Sequence, residues 1–382
     1  MGMPLTIPAQ LLPADGRFGA GPSKVRPEQV AALAAAGATV LGTSHRQPPV
    51  KNLVARIRTG LASLFSLPDG YEVVLGNGGS TAFWEVATAC LVERRAQHAS
   101  FGEFGAKFAA ATARAPFLAA PDVRRAEPGS VALLAASSDD GAEGDGVDVY
   151  ATPHNETSTG AMITPTRVPG GGLMLIDATS GAGALPVDVA QTDVYYFAPQ
   201  KVFAADGGLW LAIASPAAIE RAARIEAAAP QSGRWVPEFL SFTTALTNSR
   251  LDQTLNTPAV ATLVMLADQV EWLLGQGGLE WSVARTRESA AHLYGWAEER
   301  DFATPFVADP AHRSTVVGTV DLDASIDAKR VVAELRANGV YDVFPYRKLG
   351  RNQLRVGMFP AVDPADVEAL TASVDYVVAN LS

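Results

Sequence analysis

Short, almost purely apolar segments alternate along this chain with segments of helical periodicity. The clearest apolar segments are YEVVL (71–75), GLMLID (172–177), DVYYF (193–197) and LWLAIA (209–214). Strands buried on both faces of a parallel sheet are continuous apolar runs of this kind. Their alternation with helices is typical of α/β proteins. The sequence therefore predicts an α/β fold.

The helical segments have apolar residues at spacings of three and four, as the segment 50–65 shows. Near residue 256 the composition changes, and Asn256-Thr257-Pro258 precedes a long apolar helix that we expect to end at GQGG (275–278). We expect Thr257 to cap this helix and Pro258 to lie in its first turn. The elements predicted beyond it form a smaller α+β domain, with helices at 280–300, 326–337 and 363–380 and strands at 315–322 and 353–359.

Charge and cysteine content exclude several classes of function. The 382 residues include 40 acidic and 30 basic ones, a formal net charge of −10, whereas nucleic-acid binding needs clustered basic residues. The single cysteine, Cys90, excludes a disulfide framework, and the five histidines lack metal-ligand spacing. No apolar stretch approaches the roughly 18 residues of a membrane span, and the N-terminus lacks a signal-peptide pattern. We expect a soluble cytoplasmic enzyme, with residues 137–146 as a solvated surface loop.

Two residues that follow strands are the strongest candidates for chemistry. Lys201 comes after the run 193–197, at the sheet edge where α/β folds bind ligands, and a desolvated lysine is a nucleophile toward a carbonyl. Asp177 ends the run 172–177, where an acid needs a cationic partner, such as the pyridinium nitrogen of pyridoxal phosphate. Taken singly, Lys201 could be an ordinary surface lysine, and Asp177 could cap the turn that follows it. Their order supports a joint role. In a pyridoxal-phosphate enzyme we expect an acid at the end of one strand, then a further strand, and then a lysine.

Two loops could bind anions. In GNGGST (76–81), backbone N–H groups and the Ser80 hydroxyl would meet a phosphate at a helix N-terminus. This loop lacks the lysine of a P-loop and the third glycine of a dinucleotide-binding motif. His45 and Arg46 lie in a loop before the helix 50–65. The guanidinium of Arg46 is suited to bind a carboxylate or a phosphate. The alternative interpretation is that this loop is only solvated and binds nothing.

A basic segment near the C-terminus adds a third candidate. YRKLGRNQLRVGMF (346–359) contains Arg347, Lys348, Arg351 and Arg355 within an acidic protein. Arg355 alternates with the apolar residues of its predicted strand, so we expect it to face a cleft and bind a carboxylate.

Together these motifs resemble one family. The chain is similar to the phosphoserine aminotransferases, within the class V group of fold-type I enzymes that depend on pyridoxal 5'-phosphate, and to their actinobacterial branch in particular. The motifs that carry the resemblance are FGAGPSKV, TSHR, GNGGST, FGEFGAKF, HNETSTG, IDATSGAGALP, FAPQK and NTP. It implies a large domain over 15–265 with a mostly parallel seven-stranded sheet. A small C-terminal α+β domain would span 266–382, with residues 1–14 packing near it.

The resemblance assigns roles around the cofactor ring. Lys201 would form the internal aldimine and then move a proton between the substrate Cα and the cofactor. Asp177 would pair with the pyridinium nitrogen. Phe104 stands where many relatives stack a tryptophan on the ring, and a phenyl face can also stack. Thr157 would donate a hydrogen bond near the phenolic oxygen.

The resemblance also implies how the cofactor phosphate is bound. Gly79, Ser80 and Gln200 would bind it from one subunit. Asn256 and Thr257 would reach it from the partner subunit, which makes the expected assembly a homodimer with shared active sites.

For the substrate, the resemblance assigns Arg355 to the α-carboxylate. His45 and Arg46, with Arg347 and Lys348, would recognise the substrate phosphate or the side-chain carboxylate of glutamate. The usual His-Arg pair before the clamping arginine is absent here, and Arg347 and Lys348 occupy a shifted position. Which of these four side chains contacts the phosphate is left open.

The implied reaction is a ping-pong transfer of the amino group of L-glutamate to 3-phosphohydroxypyruvate, giving O-phospho-L-serine and 2-oxoglutarate in serine biosynthesis. Whether 4-phosphohydroxythreonine of pyridoxal phosphate biosynthesis is also a substrate stays open. The nearest alternative is another class V enzyme, such as a serine/alanine–glyoxylate aminotransferase. A cysteine desulfurase is disfavoured because Cys90 lies in a predicted helix. A phosphate-binding protein without catalysis would use GNGGST alone.

Overall fold

The structure is a computed structural model that describes residues 5–137 and 146–381. The strands are β1 (Glu72–Gly78), β2 (Ala96–Ser100), β3 (Asp122–Arg125), β4 (Val149–Pro153), β5 (Asn155–Glu156), β6 (Ala161–Met162), β7 (Leu173–Asp177), β8 (Val194–Phe197), β9 (Gly208–Ala214), β10 (Ala303–Pro305), β11 (Val317–Leu322) and β12 (Gln353–Gly357). The helices are α1 (Pro27–Ala36), α2 (Pro48–Leu64), α3 (Ser80–Cys90), α4 (Glu103–Arg114), α5 (Pro216–Ser232), α6 (Phe242–Arg250), α7 (Val260–Gln276), α8 (Gly278–Glu298), α9 (Ala328–Ala337) and α10 (Pro364–Asn380).

A seven-stranded sheet forms the centre of the molecule, in the order β1-β9-β8-β7-β4-β2-β3. Strand β9 is antiparallel to both of its neighbours, and the other pairings are parallel. The predicted α/β fold with a mostly parallel seven-stranded sheet is confirmed. The predicted surface loop at 137–146 lies almost entirely outside the described residues.

The two faces of this sheet pack against separate apolar layers, which explains why its strands are apolar throughout. Successive strand residues point to opposite faces. Ile176 and Tyr195 pack on the face covered by α2 and α7, whereas Leu175 and Tyr196 pack on the face covered by α3, α5 and α6. Strands buried on both faces leave only the sheet edges for polar chemistry.

One edge of the sheet collects the ends of several strands. Strands β4, β7 and β8 run in parallel, and β1 shares their direction because β9 is antiparallel to both β1 and β8. The segments that follow β1, β4, β7 and β8 therefore emerge at the same edge. They contain Ser80, Thr157 and Lys201, and Asp177 is the last residue of β7, so the topology gathers four of the predicted site residues.

The C-terminal region forms a smaller antiparallel sheet of β10, β11 and β12 with α8, α9 and α10 around a core of its own. The N-terminal segment contacts this region, since Leu5 N donates to Glu334 Oε2 at 2.8 Å and Ile7 N to Asn338 Oδ1 at 2.9 Å. The predicted domain boundary at 265/266 falls inside α7, whose Leu273 packs with the core of the large sheet. The domain limits stay a prediction.

The predicted loop 76–81 is shorter than expected, because β1 continues to Gly78. Gly76 pairs with Trp210 across β9, and a Cβ at Gly76 would lie 2.1 Å from Trp210 Cζ2. Only glycine lets the strand pass this indole, so the glycine reflects packing against β9. Ser80 then begins α3 directly after Gly79.

The expected capping role of Thr257 is wrong. Helix α7 begins at Val260, its N-cap is Ala259, and no side chain caps it. The Thr257 hydroxyl lies instead 3.2 Å from His45 Nδ1. The Thr257 hydroxyl, which local sequence spacing assigned to the helix, therefore contacts a residue that is distant in the sequence.

Candidate active site

Lys201 follows β8 and lies in a desolvated position. Its Nζ donates a hydrogen bond to the carbonyl oxygen of Ala20 at 2.7 Å. The pKa of Lys201 is lowered to about 8, chiefly by burial and also by the Arg355 cation, while the Asp177 carboxylate opposes both. A lysine amine with this pKa is a substantially better nucleophile near neutral pH than an exposed one.

The N-terminal motif FGAGPSKV positions this lysine, a role that sequence reasoning missed. Ser23 N donates to the carbonyl oxygen of Gln200 at 3.0 Å, and the Ser23 hydroxyl donates to the carbonyl oxygen of Lys201. A Cβ at Gly21 would lie 1.8 Å from Lys201 Nζ. The glycine therefore keeps the space that the lysine side chain fills.

Asp177 ends β7 with its side chain almost fully buried. Oδ2 accepts hydrogen bonds from Trp84 Nε1 and from the Tyr196 hydroxyl, both at 3.0 Å. Oδ1 accepts from the backbone N of Thr179 at 3.0 Å and from its hydroxyl. All four donors are neutral, and no cationic side chain of the described residues forms an ion pair with this carboxylate. The site is suited to a cationic group of a ligand.

Two sets of hydrogen-bonded hydroxyls in the loop after Asp177 contact two other predicted residues. The hydroxyls of Thr179 and Ser80 lie 2.6 Å apart. Next along the same loop, the Ser180 hydroxyl accepts from Thr157 Oγ1 at 2.7 Å and from Asn155 Nδ2 at 2.8 Å. The structure therefore brings Ser80, Thr157 and Asp177 together, as predicted.

Phe104 is held at the start of α4 by a buried carboxylate. Glu156 Oε2 accepts from the backbone N of Phe104 and of Gly105, each at 3.0 Å, and Oε1 accepts from the Ser158 hydroxyl at 2.6 Å. Burial raises the pKa of Glu156. Phe104 and Asp177 line the same small cavity. The sequence signal for Glu156 was its place in HNETSTG, beside Thr157.

Arg355 reaches the site from β12 of the small sheet. Its Nη1 donates to the carbonyl oxygen of Thr157 at 3.3 Å, and its Nε is buried without a partner. Burial lowers the pKa of Arg355. Among the ion pairs of the described chain, none involves this guanidinium, so an anion from outside the chain would complete it.

His45, Arg46, Asn256 and Thr257 form a second cluster. Asn77 Nδ2 donates to the carbonyl oxygens of Asn256 and Thr257 at 3.4 and 3.5 Å, and Arg46 Nη2 donates to the Leu255 carbonyl at 3.1 Å. Within residues 5–137 and 146–381, no hydrogen bond connects this cluster to Lys201 or Arg355.

The remaining predicted residues differ in their surroundings. Gln200 lies in the turn before Lys201, and its side-chain oxygen is buried without a partner. Gly79 has no atom within 4 Å of where a Cβ would lie. Arg347 is exposed, and Lys348 forms an ion pair with Glu103 at the start of α4. Lys348 is therefore already paired, which the charge pattern alone did not indicate.

The part of the chain that the structure describes has neither a cluster of metal ligands nor a membrane-crossing helix. It contains no group of three or more His, Cys, Asp and Glu side chains placed to hold a metal ion. None of its helices is long and apolar enough to cross a membrane.

Known proteins share this architecture and this sequence. The family described as aminotransferase class-V matches residues 18–341. The chain belongs to the class-V aminotransferase family. A phosphoserine aminotransferase of a Nocardioides species is 59% identical over 381 residues, covering 99% of each chain. One of Rhodococcus opacus is 59% identical over 377 residues, covering 98% of each.

A solved structure agrees with the fold. The crystal structure of a phosphoserine aminotransferase from Cytophaga hutchinsonii superposes with a TM-score of 0.85 at 20% identity, covering 95% of this chain and 99% of that one. The predicted family is therefore confirmed, and with it the expectation of a pyridoxal-phosphate-dependent aminotransferase. The roles of single residues stay predictions.

The environment of Lys201 predicts its titration in the cofactor-free protein. Labelling of Lys201 by trinitrobenzenesulfonate, followed by peptide mass spectrometry across pH, should show a midpoint near 8. Arg355→Gln should raise this midpoint, because it removes a cation that disfavours the ammonium. Asp177→Asn should lower it, because it removes an anion that favours the ammonium.

Lys348 serves as the internal control in the same digest, because the Glu103 carboxylate raises the pKa of Lys348 above 10.5. A midpoint for Lys201 close to that of Lys348, unmoved by either variant, would contradict the account of this site.

Proposed function

We propose that this aminotransferase transfers the amino group of L-glutamate to 3-phosphohydroxypyruvate and releases O-phospho-L-serine and 2-oxoglutarate, in the cytoplasm. The observation that carries the proposal is the desolvated Lys201 amine, which lies within the electrostatic influence of both the Asp177 carboxylate and the Arg355 cation. Relatives that match over the full length and bear the name phosphoserine aminotransferase support the choice of substrate.

The residues present fit pyridoxal phosphate. Lys201 supplies the nucleophilic amine, and Asp177 supplies a buried carboxylate that has only neutral partners. Ser80, at the N-terminus of α3, and Gln200, through the N–H groups of its side-chain amide, would hold the phosphate. When bound, the cofactor supplies an electron sink for the negative charge that develops at the substrate Cα.

Within this arrangement each side chain has a distinct task. Lys201 Nζ takes the proton from Cα of the donor amino acid and would pass it to the bound cofactor; in the second half-reaction it delivers a proton to Cα of the product amino acid. The lowered pKa suits an amine that must act as both base and acid. Arg355 binds the α-carboxylate, which both amino donor and acceptor possess. Phe104 covers one face of the site, where the Glu156 carboxylate holds its backbone.

The site must also accept two different anionic side groups, a carboxylate in glutamate and a phosphate in O-phosphoserine. His45, Arg46 and Arg347 bind these anionic groups. The Lys348 ammonium also takes part when the substrate's anionic group displaces the Glu103 carboxylate from it. A guanidinium binds either anion with paired hydrogen bonds. A glyoxylate aminotransferase has no second anionic group to bind on its acceptor, and extra cations would serve no purpose there.

The His45–Thr257 cluster serves the site of a second copy in a homodimer. Within the described residues no hydrogen bond joins this cluster to Lys201, which supports this assignment. Phe239, 49% exposed, shares a cavity with Asn256, so apolar surface is available for a subunit contact beside the cluster. We assign Asn256 and Thr257 to the cofactor phosphate of the partner.

The substrate assignment predicts the effect of removing Arg46. With L-glutamate as donor, Arg46→Leu should raise KM for 3-phosphohydroxypyruvate by about tenfold or more, because a charge-assisted hydrogen bond is worth about 1.5–3 kcal/mol. Steady-state release of 2-oxoglutarate measures this.

Arg56→Leu is the matched control, since Arg56 forms an exposed ion pair with Glu271 on the outer side of α2 and exposed pairs contribute little. Preference of the unmodified protein for glyoxylate over 3-phosphohydroxypyruvate would refute the proposed substrate and favour the glyoxylate enzyme.

The shared site predicts complementation between two inactive variants. Lys201→Ala alone, and the double variant Asn256→Ala/Thr257→Ala alone, should each have little activity. Mixed dimers should regain it, because one of their two sites combines an intact Lys201 with an intact Asn256 and Thr257 from the other chain.

The experiment needs proof that mixed dimers form, for which differently tagged chains can be purified in sequence. If such dimers form and stay inactive, each site is contained within one subunit and the assignment of Asn256 and Thr257 is wrong.

A further inference from the structure

The Arg355 guanidinium has one more neighbour, which neither motif nor family resemblance singled out. Its central carbon lies 5.3 Å from the ring centroid of Tyr346, within the range of a cation–π contact. Tyr346 precedes the short 3₁₀ turn Arg347–Leu349 and is half-buried. The ring is a second constraint on a side chain that, within the described residues, has one hydrogen bond, to the Thr157 carbonyl at 3.3 Å.

The chemistry of this neighbour suits a binding site better than an acid would. An aspartate or glutamate here would hold the guanidinium more firmly, but it would occupy the N–H groups that a substrate carboxylate needs. A phenol ring attracts the cation through its face and leaves the in-plane N–H groups free. Tyr346 can therefore orient Arg355 without competing with the substrate.

Tyr346 also connects this arginine to the other side of the site. Its ring packs edge-to-face against Phe104, with the ring centroids 6.1 Å apart and the planes at 60°. Beside this contact, Lys348 pairs with Glu103, whose side chain is 19% exposed. The aromatic contact and this ion pair both join the loop before β12 to the start of α4.

We propose that Tyr346 is a positioning residue that holds the Arg355 guanidinium against the Phe104 side of the site, in the orientation that receives the α-carboxylate of either substrate. The inference rests on the proposed role of Arg355 and not on the identity of the phosphorylated substrate. Because both substrates carry an α-carboxylate, the loss of Tyr346 should weaken both half-reactions.

The test uses the holoenzyme and the glutamate half-reaction, in which absorbance follows conversion of the pyridoxal form to the pyridoxamine form. Tyr346→Leu should raise the half-saturating glutamate concentration about tenfold, in line with a desolvated cation–π contact, with little change in the maximal rate. Tyr346→Phe should restore the wild-type value, since the ring rather than the hydroxyl makes the contact. Should Tyr346→Leu not fold, Tyr346→Met takes its place with the same expectation.

A binding readout without turnover accompanies the kinetics. Glutarate has two carboxylates and no amino group, and its dissociation constant by calorimetry should rise with Tyr346→Leu by the same factor. The affinity for pyridoxal phosphate should change little. Tyr341→Leu is the matched control, because Tyr341 makes a similar contact with Arg336, at 5.8 Å, with its side chain 43% exposed.

Three outcomes would overturn the inference. Unchanged glutamate and glutarate affinity in Tyr346→Leu would mean that Arg355 is oriented without the ring. A fall in the maximal rate alone would place Tyr346 in the chemistry, and an equal loss in Tyr346→Phe would assign the effect to the hydroxyl. Arg355→Gln separates the proposed role of Arg355 from that of Tyr346. If this variant leaves the affinity for glutamate unchanged, Arg355 does not bind the α-carboxylate, and the proposed function of Arg355 is wrong whatever Tyr346 does.

Discussion

The carboxylate of Asp177 is buried at the end of the central strand β7, and much of the site is arranged to satisfy it. A buried charge without hydrogen bonds costs several kcal/mol. Its donors come from α3, from β8 and from the loop after β7, namely Trp84, Tyr196 and Thr179. The position of this one carboxylate thus depends on the register of β7 and β8 and on the position of α3. From that position the carboxylate also raises the pKa of Lys201, against the effects of burial and of Arg355.

Two further segments complete the site from outside the large sheet. The N-terminal motif contacts Lys201 through Ala20 and leaves room for it at Gly21. The small sheet contributes Arg355, whose guanidinium donates to the Thr157 carbonyl. The amine, the carboxylate and the guanidinium therefore depend on three separate regions of the chain, and their relative positions require the whole fold.

The fold and the central residues could be predicted because their signals are local or ordered. Continuous apolar runs indicate buried strands, and an acid at a strand end followed by a lysine after the next strand indicates their common sheet edge. Arg355 could be singled out because a cation alternating with apolar residues in a strand is costly unless it faces a cleft.

The remaining features depend on contacts between distant residues, which spacing does not reveal. Gly76 extends β1 because Trp210 lies across it. Helix α7 begins only at Val260, so Thr257 precedes its N-cap, and the Thr257 hydroxyl contacts His45 instead. Lys348 is paired because Glu103 begins α4 beside it. The contacts of Tyr346 likewise join a loop residue to Phe104 of α4 and to Arg355 of β12.

The most direct test of the account is the visible absorption spectrum of the protein with pyridoxal phosphate, before and after addition of O-phosphoserine. The account predicts a visible band from lysine-bound cofactor, which O-phosphoserine converts to the pyridoxamine form and which Lys201→Ala lacks. Bleaching by alanine or serine but not by O-phosphoserine would contradict the phosphate recognition by His45 and Arg46. A wild-type protein without the band at saturating pyridoxal phosphate would contradict the central role of Lys201 and Asp177.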